Sequence, residues 1–199
     1  MPKRHGSKQK KWDAIVYAQE FLISNAVIID TETTGLLDYE NVEVIELAII
    51  NMQGDTIYNS RFRPVHKIPK ITTDIHGITD EDVADKPTFK DEYPKILEAL
   101  NSKIAIAYHA KFDEGVIEKT CKLYKLEPPE CRWECAMRLY QLFQGGKWSK
   151  LPNGVHNALG DCNAVLDLIH RIANELNTIK SRTPKAQKPS KVTDSYWLY

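Results

Sequence analysis

Four carboxylates and one histidine in the sequence have types and spacing that could hold metal ions and support phosphoryl chemistry. The first two, Asp30 and Glu32, lie two residues apart at the end of an apolar run. Side chains two apart in extended backbone point to the same side, and two carboxylates aimed together repel each other unless a cation is present. Taken alone, this pair also fits an ordinary polar exit from a strand.

Two further carboxylates favour the metal interpretation. Asp113 stands at the start of a predicted helix shortly after the apolar run 104–107, and Asp161 follows His156 by five residues in the last helix. In an α/β sheet, strand ends and the helix starts that follow them gather at one edge, where ligands bind. Four carboxylates gathered there suit Mg²⁺ or Mn²⁺, commonly as two ions that brace the attacking and leaving oxygens. A nearby histidine can accept the proton of the attacking water.

The apolar pattern of the chain predicts the elements that must bring these residues together. Apolar runs predict strands at 26–29, 42–52, 56–62, 104–107 and near Trp133. Helical periodicity predicts helices at 12–23, 89–100, 111–123, 136–143 and from His156 or Asn157 to about Leu176. The proline-containing segment 63–88 is expected to be loop with short helical turns. This order predicts an α/β fold with a mixed sheet, in which the hairpin at 42–62 supplies the antiparallel strand.

Three segments resemble, in their order and spacing, the motifs of the DnaQ-like (DEDDh) 3′–5′ exonucleases. They are Asp30-Thr31-Glu32-Thr33-Thr34-Gly35-Leu36, then Ala110-Lys111-Phe112-Asp113, then His156 with Asp161. A fourth segment, His76-Gly77-Ile78-Thr79 followed by Pro87 and Phe89, is similar to a further segment of the family. The resemblance runs from about residue 26 to residue 176. The family includes the proofreading epsilon subunit of bacterial DNA polymerase III.

This resemblance implies an RNase H-like fold with a mixed five-stranded sheet flanked by helices. It also implies hydrolysis of phosphodiesters from a 3′ end, with release of nucleoside monophosphates and two divalent metal ions, Mg²⁺ or Mn²⁺, as cofactors. By the resemblance, Asp30, Glu32 and Asp161 would hold one ion. Asp30 would also reach the second, Asp113 would help through a water bound to it, and His156 would be the general base.

The resemblance also assigns substrate contacts. Thr33, Gly35 and Leu36 would contact the terminal nucleotide, with Leu36 packing on its base. His76 would either touch the nucleic-acid strand or cap its own loop. One position departs from the family pattern: many members have Asn where this chain has His109. The resemblance therefore does not assign the contact of that Asn to this chain, and His109 is interpreted as a packed or edge histidine rather than a second base.

The preferred interpretation of the function is a metal-dependent exonuclease that acts on single-stranded or frayed 3′ ends, preferably of DNA. An exoribonuclease is the nearest alternative, because metal ions act on the phosphodiester and not on the 2′ position. A nucleic-acid-binding module without activity is the alternative from another class. None of these motifs is a polymerase motif, so any polymerase or replication partner would act in trans, as a separate chain.

Composition sets the remaining expectations. With 199 residues, 42% of them hydrophobic and 27% charged, the chain is of the globular class. It contains no apolar run long enough to span a membrane and begins without a secretory pattern, so we expect no membrane partner and a cytoplasmic or other intracellular location. We expect a basic N-terminal arm at 1–11, an exonuclease domain at 12–179 and a basic, flexible C-terminal tail at 180–199.

Net charge is zero overall but unevenly distributed. The two terminal segments hold ten Lys and Arg with one acid, which leaves 17 basic and 26 acidic side chains, a net charge of −9, in residues 12–179. The basic segments are either solvated or hold an anionic polymer. If the basic segments hold a nucleic acid, deleting residues 1–11 and 180–199 should weaken nucleic-acid binding and make it less dependent on salt concentration.

Other chemistry-bearing residues have simpler interpretations. Cys131 and Cys135 have a spacing that could ligate zinc, but no partner pair completes a site, so buried thiols are favoured. The spacing of Leu139, Leu142 and Phe143 favours core packing over a sliding-clamp motif. Trp133 and Trp148 are interpreted as core or rim aromatics rather than as stacking platforms. The terminal residues 196–199 either dock on the domain or form a peptide for a partner.

Overall fold

The computed structural model describes residues 7–175, so the predicted tail at 180–199, residues 196–199 and Leu176 lie outside it. The strands are β1 (Ala26–Thr33), β2 (Val44–Asn51), β3 (Thr56–Arg61), β4 (Ile104–Ala107) and β5 (Arg132–Cys135). The helices are α1 (Ser7–Ile23), α2 (Lys70–His76), α3 (Asp80–Val83), α4 (Phe89–Leu100), α5 (Ala110–Tyr124), α6 (Ala136–Phe143) and α7 (Ala158–Ala173). The order confirms the predicted α/β class.

The five strands form one mixed sheet in the order β3-β2-β1-β4-β5. The β1–β2 and β2–β3 pairs are antiparallel, whereas β1–β4 and β4–β5 are parallel. The predicted mixed five-stranded sheet with an antiparallel hairpin is therefore confirmed. Because β1, β4 and β5 run in the same direction, their C-terminal ends lie at one edge of the sheet, and α5 and α6 begin there.

Helices cover both faces of the sheet, and the alternation along β1 decides which side chain faces which helix. Ile28 belongs to the core beneath α1, α6 and α7. Val27 and Ile29 belong to the core on the other face, beneath α4 and α5. Even-numbered side chains of β1 therefore point toward α7 and odd-numbered ones toward α5.

Strand β1 is longer than its apolar run predicts. It continues past Ile29 to Thr33, so Asp30 and Glu32 lie inside a hydrogen-bonded strand rather than just beyond its end. Asp30 is opposite Ala48 and Glu32 is opposite Glu46 on β2, and the register shifts directly after Glu32. Pairing on β2 explains the extension, because the polar residues gain ladder hydrogen bonds that their own sequence does not signal.

Helix α1 begins at Ser7, five residues before the predicted start at Trp12, so residues 7–11 of the predicted basic arm are helical. These five residues are all polar, and apolar periodicity cannot reveal them. Lys11 contacts the body directly: its ammonium lies 2.8 Å from a carboxylate oxygen of Glu175 and 4.7 Å from the centre of the Phe143 ring.

The segment between β3 and α4 contains the short helices α2 and α3, which confirms the expected loop with helical turns. Gly77 ends α2 with a left-handed backbone, φ 76°, and donates its N–H to the Thr73 carbonyl. Thr79 and Asp82 form a reciprocal capping box at the start of α3. Ile78 and Val83 bury this segment against the sheet.

Several simpler interpretations are also settled by burial. Leu139 is buried, and Leu142 and Phe143 pack against the same core, which confirms the core interpretation of these residues. Cys121 and Cys162 are buried free thiols, whereas Cys131 and Cys135 are only partly buried. Between Ser7 and Glu175, we find no helix long and apolar enough to cross a bilayer.

Candidate active site

Alternation along β1 brings three carboxylates to one point. Asp30 and Glu32 are even-numbered and point toward α7, where Asp161 lies in the first turn. One oxygen from each of the three residues lies within 4.8 Å of the other two. The structure therefore brings together the three residues expected to share one metal ion.

Hydrogen bonds with residues just before α7 hold Asp161 in place. Its carboxylate accepts the backbone N–H of Val155 at 2.7 Å, and its backbone N–H bonds to the Asn157 carbonyl at 3.0 Å. Asn157 caps α7, because its side-chain oxygen accepts the Gly160 N–H at 2.8 Å. These bonds fix the direction in which the Asp161 side chain leaves the helix.

Asp113 approaches the site from the opposite face of the sheet. It lies in the first turn of α5, is buried, and accepts a hydrogen bond of 2.9 Å from the hydroxyl of Thr31. Thr31 is odd-numbered on β1 and therefore faces α5. Asp113 borders the same cleft as the other three acids, but its oxygens are not among those that lie within 4.8 Å of one another.

Burial, together with charge repulsion at Glu32 and Asp30, raises the pKa values of Glu32, Asp113 and Asp30. Loss of hydration raises the pKa of Glu32 to about 8, with further contributions from the charges of Glu46, Asp161 and Asp113. Burial raises the pKa of Asp113 to about 7, although its hydrogen bond from Thr31 acts in the opposite direction. The pKa of Asp30 is raised well above its usual value, first by burial and then by the Asp113 charge.

These shifts and the donor chemistry fit a divalent cation. Carboxylates crowded at one sheet edge repel one another, and a bound cation would relieve this repulsion. Carboxylate oxygen is the donor that Mg²⁺ and Mn²⁺ prefer. The residues present are therefore suited to the metal ions that the sequence implies.

His156 lies on the same cleft, in the turn before α7. Its side chain is exposed and its backbone adopts φ 56°, a left-handed conformation uncommon for residues other than glycine. The cleft has a volume of about 610 Å³ and is lined by the five expected catalytic residues together with residues of β1, of helices α5 and α6 and of the β4–α5 and α6–α7 connections. All five expected catalytic residues therefore face one space.

The expected substrate contacts lie outside the lining of this cleft. Thr33 is buried and donates its hydroxyl to the Gly35 carbonyl at 2.7 Å. Gly35 packs so closely on the Tyr39 ring that a Cβ there would lie 2.2 Å from a ring carbon. Leu36 is 60% exposed and therefore accessible to a ligand. Their nucleotide contacts stay predictions.

His76 acts structurally in its own loop. Its Nδ1 accepts the backbone N–H of Ile78 at 3.0 Å, which supports the loop-capping alternative. Its Nε2 is buried and has no hydrogen-bond partner among the residues that the structure describes. Burial lowers the pKa of His76, so the neutral ring is favoured. Contact with a nucleic-acid strand stays a prediction.

Glu46 is a residue of this region that the sequence motifs missed. It is buried on β2 opposite Glu32 and on the face of α7. Its carboxylate accepts the backbone N–H of Ala158 at 2.9 Å and the Arg61 Nε–H at 2.8 Å. Glu46 is a lone charged residue in an otherwise apolar strand, and this pattern could have revealed it, because a charge buried in a sheet needs hydrogen-bond partners.

A comparison with protein families identifies the chain. The sequence model described as "Exonuclease", of the RNase T type, matches residues 27–169. The chain belongs to this exonuclease family. The match contains the four carboxylates and His156, so the family assignment and the carboxylate site concern the same part of the molecule.

Two curated relatives of this exonuclease show how far the similarity extends. An uncharacterized exonuclease of Escherichia phage 186 is 35% identical over 180 residues, which cover 78% of this chain and 92% of the relative. The DNA polymerase III epsilon subunit of Escherichia coli strain K12 is 26% identical over 121 residues, which cover 57% of this chain and 50% of the subunit. The chain thus spans nearly all of the phage protein but half of the epsilon subunit.

Solved structures support the same assignment. Exonuclease X, in complex with 5′ overhanging duplex DNA, is 29% identical, with a TM-score of 0.57 over 76% of this chain and 93% of its own. The nuclease domain of 3′hExo, a DEDDh family member bound to rAMP, has a TM-score of 0.63 at 18% identity, over 77% of this chain and 94% of its own, and so shows the fold. The chain is a hydrolytic exonuclease with the DEDDh fold, and the resemblance to DnaQ-like exonucleases is confirmed.

Proposed function

We propose that this exonuclease removes nucleotides from the 3′ end of single-stranded DNA, releases nucleoside monophosphates and uses two divalent ions, Mg²⁺ or Mn²⁺. The observation that carries the proposal is the convergence of Asp30, Glu32 and Asp161 within 4.8 Å. Asp113 reaches the same cleft from the other face of the sheet. Packing does not explain such a set of acids, because carboxylates brought together away from water cost stability unless hydrogen bonds or a cation compensate them.

The carboxylates would hold the metal ions, and the histidine would transfer a proton. Asp30, Glu32 and Asp161 would hold one ion, and Asp30 would also reach a second that Asp113 assists. Ions bound there would stabilise the charge that develops on the attacking and leaving oxygens. The Thr31 hydroxyl bond would keep the Asp113 carboxylate ionised and oriented.

His156 would accept the proton of the attacking water at a ring nitrogen. Its exposed ring borders the cleft, so a water molecule and a terminal phosphodiester can both approach it. The Asn157 cap and the Val155–Asp161 bond fix the backbone on both sides of His156. A general base placed in this way contributes roughly 10²- to 10⁴-fold to the rate.

DNA is favoured over RNA by the relatives at higher identity. Exonuclease X, whose structure contains duplex DNA, is 29% identical to this chain, whereas the rAMP-bound nuclease is 18% identical. The similarity to epsilon subunits also supports a polymerase as a partner in trans. Matched DNA and RNA oligonucleotides, digested side by side, would decide between the two substrates. Faster digestion of the RNA would establish the exoribonuclease alternative.

Direction and metal dependence can be tested on a DNA oligonucleotide labelled at its 5′ end. With Mg²⁺, we expect a ladder of products shortened from the 3′ end, and no product in EDTA. Asp161→Asn should abolish the ladder, whereas Asp167→Asn should not, because Asp167 is an exposed acid on the same helix. Tight DNA binding without hydrolysis by the unmodified protein would instead indicate a non-catalytic binding module.

A further inference from the structure

One wall of the carboxylate cleft is formed by the loop between α6 and α7. Trp148 and Lys150 of this loop both line the cleft, as the four carboxylates do. The Trp148 side chain is 63% exposed although it is the largest apolar side-chain type. Of the two positions expected for Trp148, core or rim, the structure therefore supports the rim, and a ring exposed there can stack on a base, which the sequence did not favour.

The residue between them anchors the loop. Ser149 donates its hydroxyl to the Gln144 side chain at 2.8 Å, and its carbonyl accepts a hydrogen bond from the Tyr108 hydroxyl. Tyr108 directly follows β4, so this bond ties the middle of the loop to the sheet. Leu151, not Trp148, packs against the hydrophobic core. The loop thus holds Trp148 and Lys150 at the cleft, and neither side chain is needed to fill the hydrophobic core.

The charge of Lys150 is unusual in its surroundings. It is the one Lys or Arg among the lining residues of the cleft, as far as the described chain shows. Its ammonium forms no ion pair with a carboxylate of residues 7–175. A cation left unpaired in the cleft is available to an anionic ligand, and a phosphodiester is the anion that an exonuclease must admit.

We propose that Trp148 and Lys150 form a subsite for one unpaired nucleotide at or next to the 3′ end of the substrate. The base stacks on the indole ring and the adjacent phosphate pairs with the ammonium. Aromatic stacking accepts any base, and it requires a base that is not paired in a duplex. The subsite therefore selects single-stranded ends without selecting their sequence. This inference rests on the proposed function.

Binding of a fluorescein-labelled dT12 with hydrolysis-resistant phosphorothioate linkages tests the stacking contact. In the presence of Mg²⁺, we expect Trp148→Ala to raise Kd about tenfold and Trp148→Phe to retain most of the affinity. Trp12→Ala is the matched control, because Trp12 is 51% exposed on α1 and does not line the cleft. In hydrolysis of unmodified dT12, Trp148→Ala should raise KM more than it lowers kcat.

An abasic nucleotide makes the test specific. Oligonucleotides that lack the base at either the last or the penultimate position are compared with intact dT12. For one of them, Trp148→Ala should no longer weaken binding, because the base that stacks on the indole is missing. An equal loss on intact and on both abasic oligonucleotides, or no loss on any of them, would overturn the stacking contact.

The phosphate contact is tested by salt. Lys150→Gln should reduce the slope of log K against log salt concentration by about one, as expected for one lost phosphate contact. Lys122→Gln, at the far end of α5, should leave the slope unchanged. Equal slopes for Lys150→Gln and the unmodified protein would overturn this contact. If the subsite variants behave as expected but no oligonucleotide is cleaved, the subsite stands and the proposed function fails.

Discussion

The buried carboxylate of Glu46 accepts a hydrogen bond of 2.9 Å from the backbone N–H of Ala158, the first residue of α7. This bond joins β2 to the helix that carries Asp161. Glu46 is also the direct neighbour of Glu32 across the β1–β2 ladder. One side chain therefore fixes the distance between the strand that supplies two of the acids and the helix that supplies the third.

Removing this bond should cost stability. Glu46→Ala leaves the Ala158 N–H buried without its partner, which typically costs about 1–3 kcal/mol of unfolding free energy. Glu46→Gln keeps an oxygen that can accept this N–H, so it should cost less. Urea denaturation measures both, with Glu40→Ala in the exposed loop before β2 as a control. Equal stabilities of Glu46→Ala and the control would contradict a net stabilising role of the Glu46 side chain.

The raised carboxylate pKa values predict how stability depends on pH without metal. Between pH 4.5, the ordinary pKa of Glu, and about 8, the folded protein keeps a proton on Glu32 that the unfolded chain has released. The free energy of unfolding of the metal-free protein should therefore fall as pH rises through this window. Asp113, with a pKa of about 7, acts in the same direction.

Thermal unfolding in EDTA across this range measures the effect as a falling Tm. Mg²⁺ or Mn²⁺ should raise Tm more at the alkaline end, where the ion meets ionised carboxylates, than at the acidic end, where protons compete. Glu32→Gln should flatten the pH dependence of the metal-free protein. A metal-free Tm that is constant over the whole window would contradict the raised pKa values.

The hydroxyl of Thr31 should matter for the affinity of the site for metal. Its hydrogen bond to Asp113 stabilises the ionised carboxylate, so Thr31→Val should raise the pKa of Asp113 further. At neutral pH, we expect Thr31→Val to weaken Mn²⁺ binding and to slow hydrolysis several-fold, and Thr31→Ser to restore both. Calorimetric titration with Mn²⁺ gives the affinity. An unchanged affinity in Thr31→Val would show that the bond does not support the site.

Gly35 should not tolerate a side chain while Tyr39 is present. A Cβ at position 35 would lie 2.2 Å from a Tyr39 ring carbon, so the ring must move. The Lys119 ammonium holds this loop through the carbonyls of Leu37 and Tyr39, at 2.6 and 3.0 Å, which limits the movement. Gly35→Ala should cost about 1–3 kcal/mol of stability, as overpacking usually does.

A double variant separates this clash from other effects. When Tyr39 is already replaced by Ala, the further change Gly35→Ala should cost little stability, because the clashing ring is gone. Chemical denaturation and kcat/KM for a DNA oligonucleotide are measured on all three variants. Strictly additive losses would mean that the Tyr39 ring is not the obstacle.

The sequence predicted those elements whose apolar pattern is complete within a few residues. Helices Phe89–Leu100 and Ala136–Phe143 and strand Ile104–Ala107 have the predicted bounds, because burial on the sheet follows their own periodicity. The start of α1 and the end of β1 were missed, since polar residues there are held by Glu175 and by pairing with β2. Contacts between distant segments leave no mark on local periodicity.

The same distinction holds for the site. The motifs named the three acids that the structure places within 4.8 Å, because strand alternation and a helix start are local properties. They did not reveal Glu46, whose partners are Arg61 and Ala158, or the position of Trp148 at the cleft. These depend on how a β-hairpin and a loop pack against α7, which spacing alone does not specify.

The order of the elements along the chain has a consequence for the protein during its synthesis. Asp30 and Glu32 lie on β1, near the beginning of the described chain, whereas Asp161 lies on α7, its last helix. Because α7 packs on β1 and β2, the three acids meet only after nearly all of the domain has left the ribosome. If the three acids have the roles proposed above, a partly synthesised chain cannot cut the nucleic acid around it. Activity then begins only when the fold is complete.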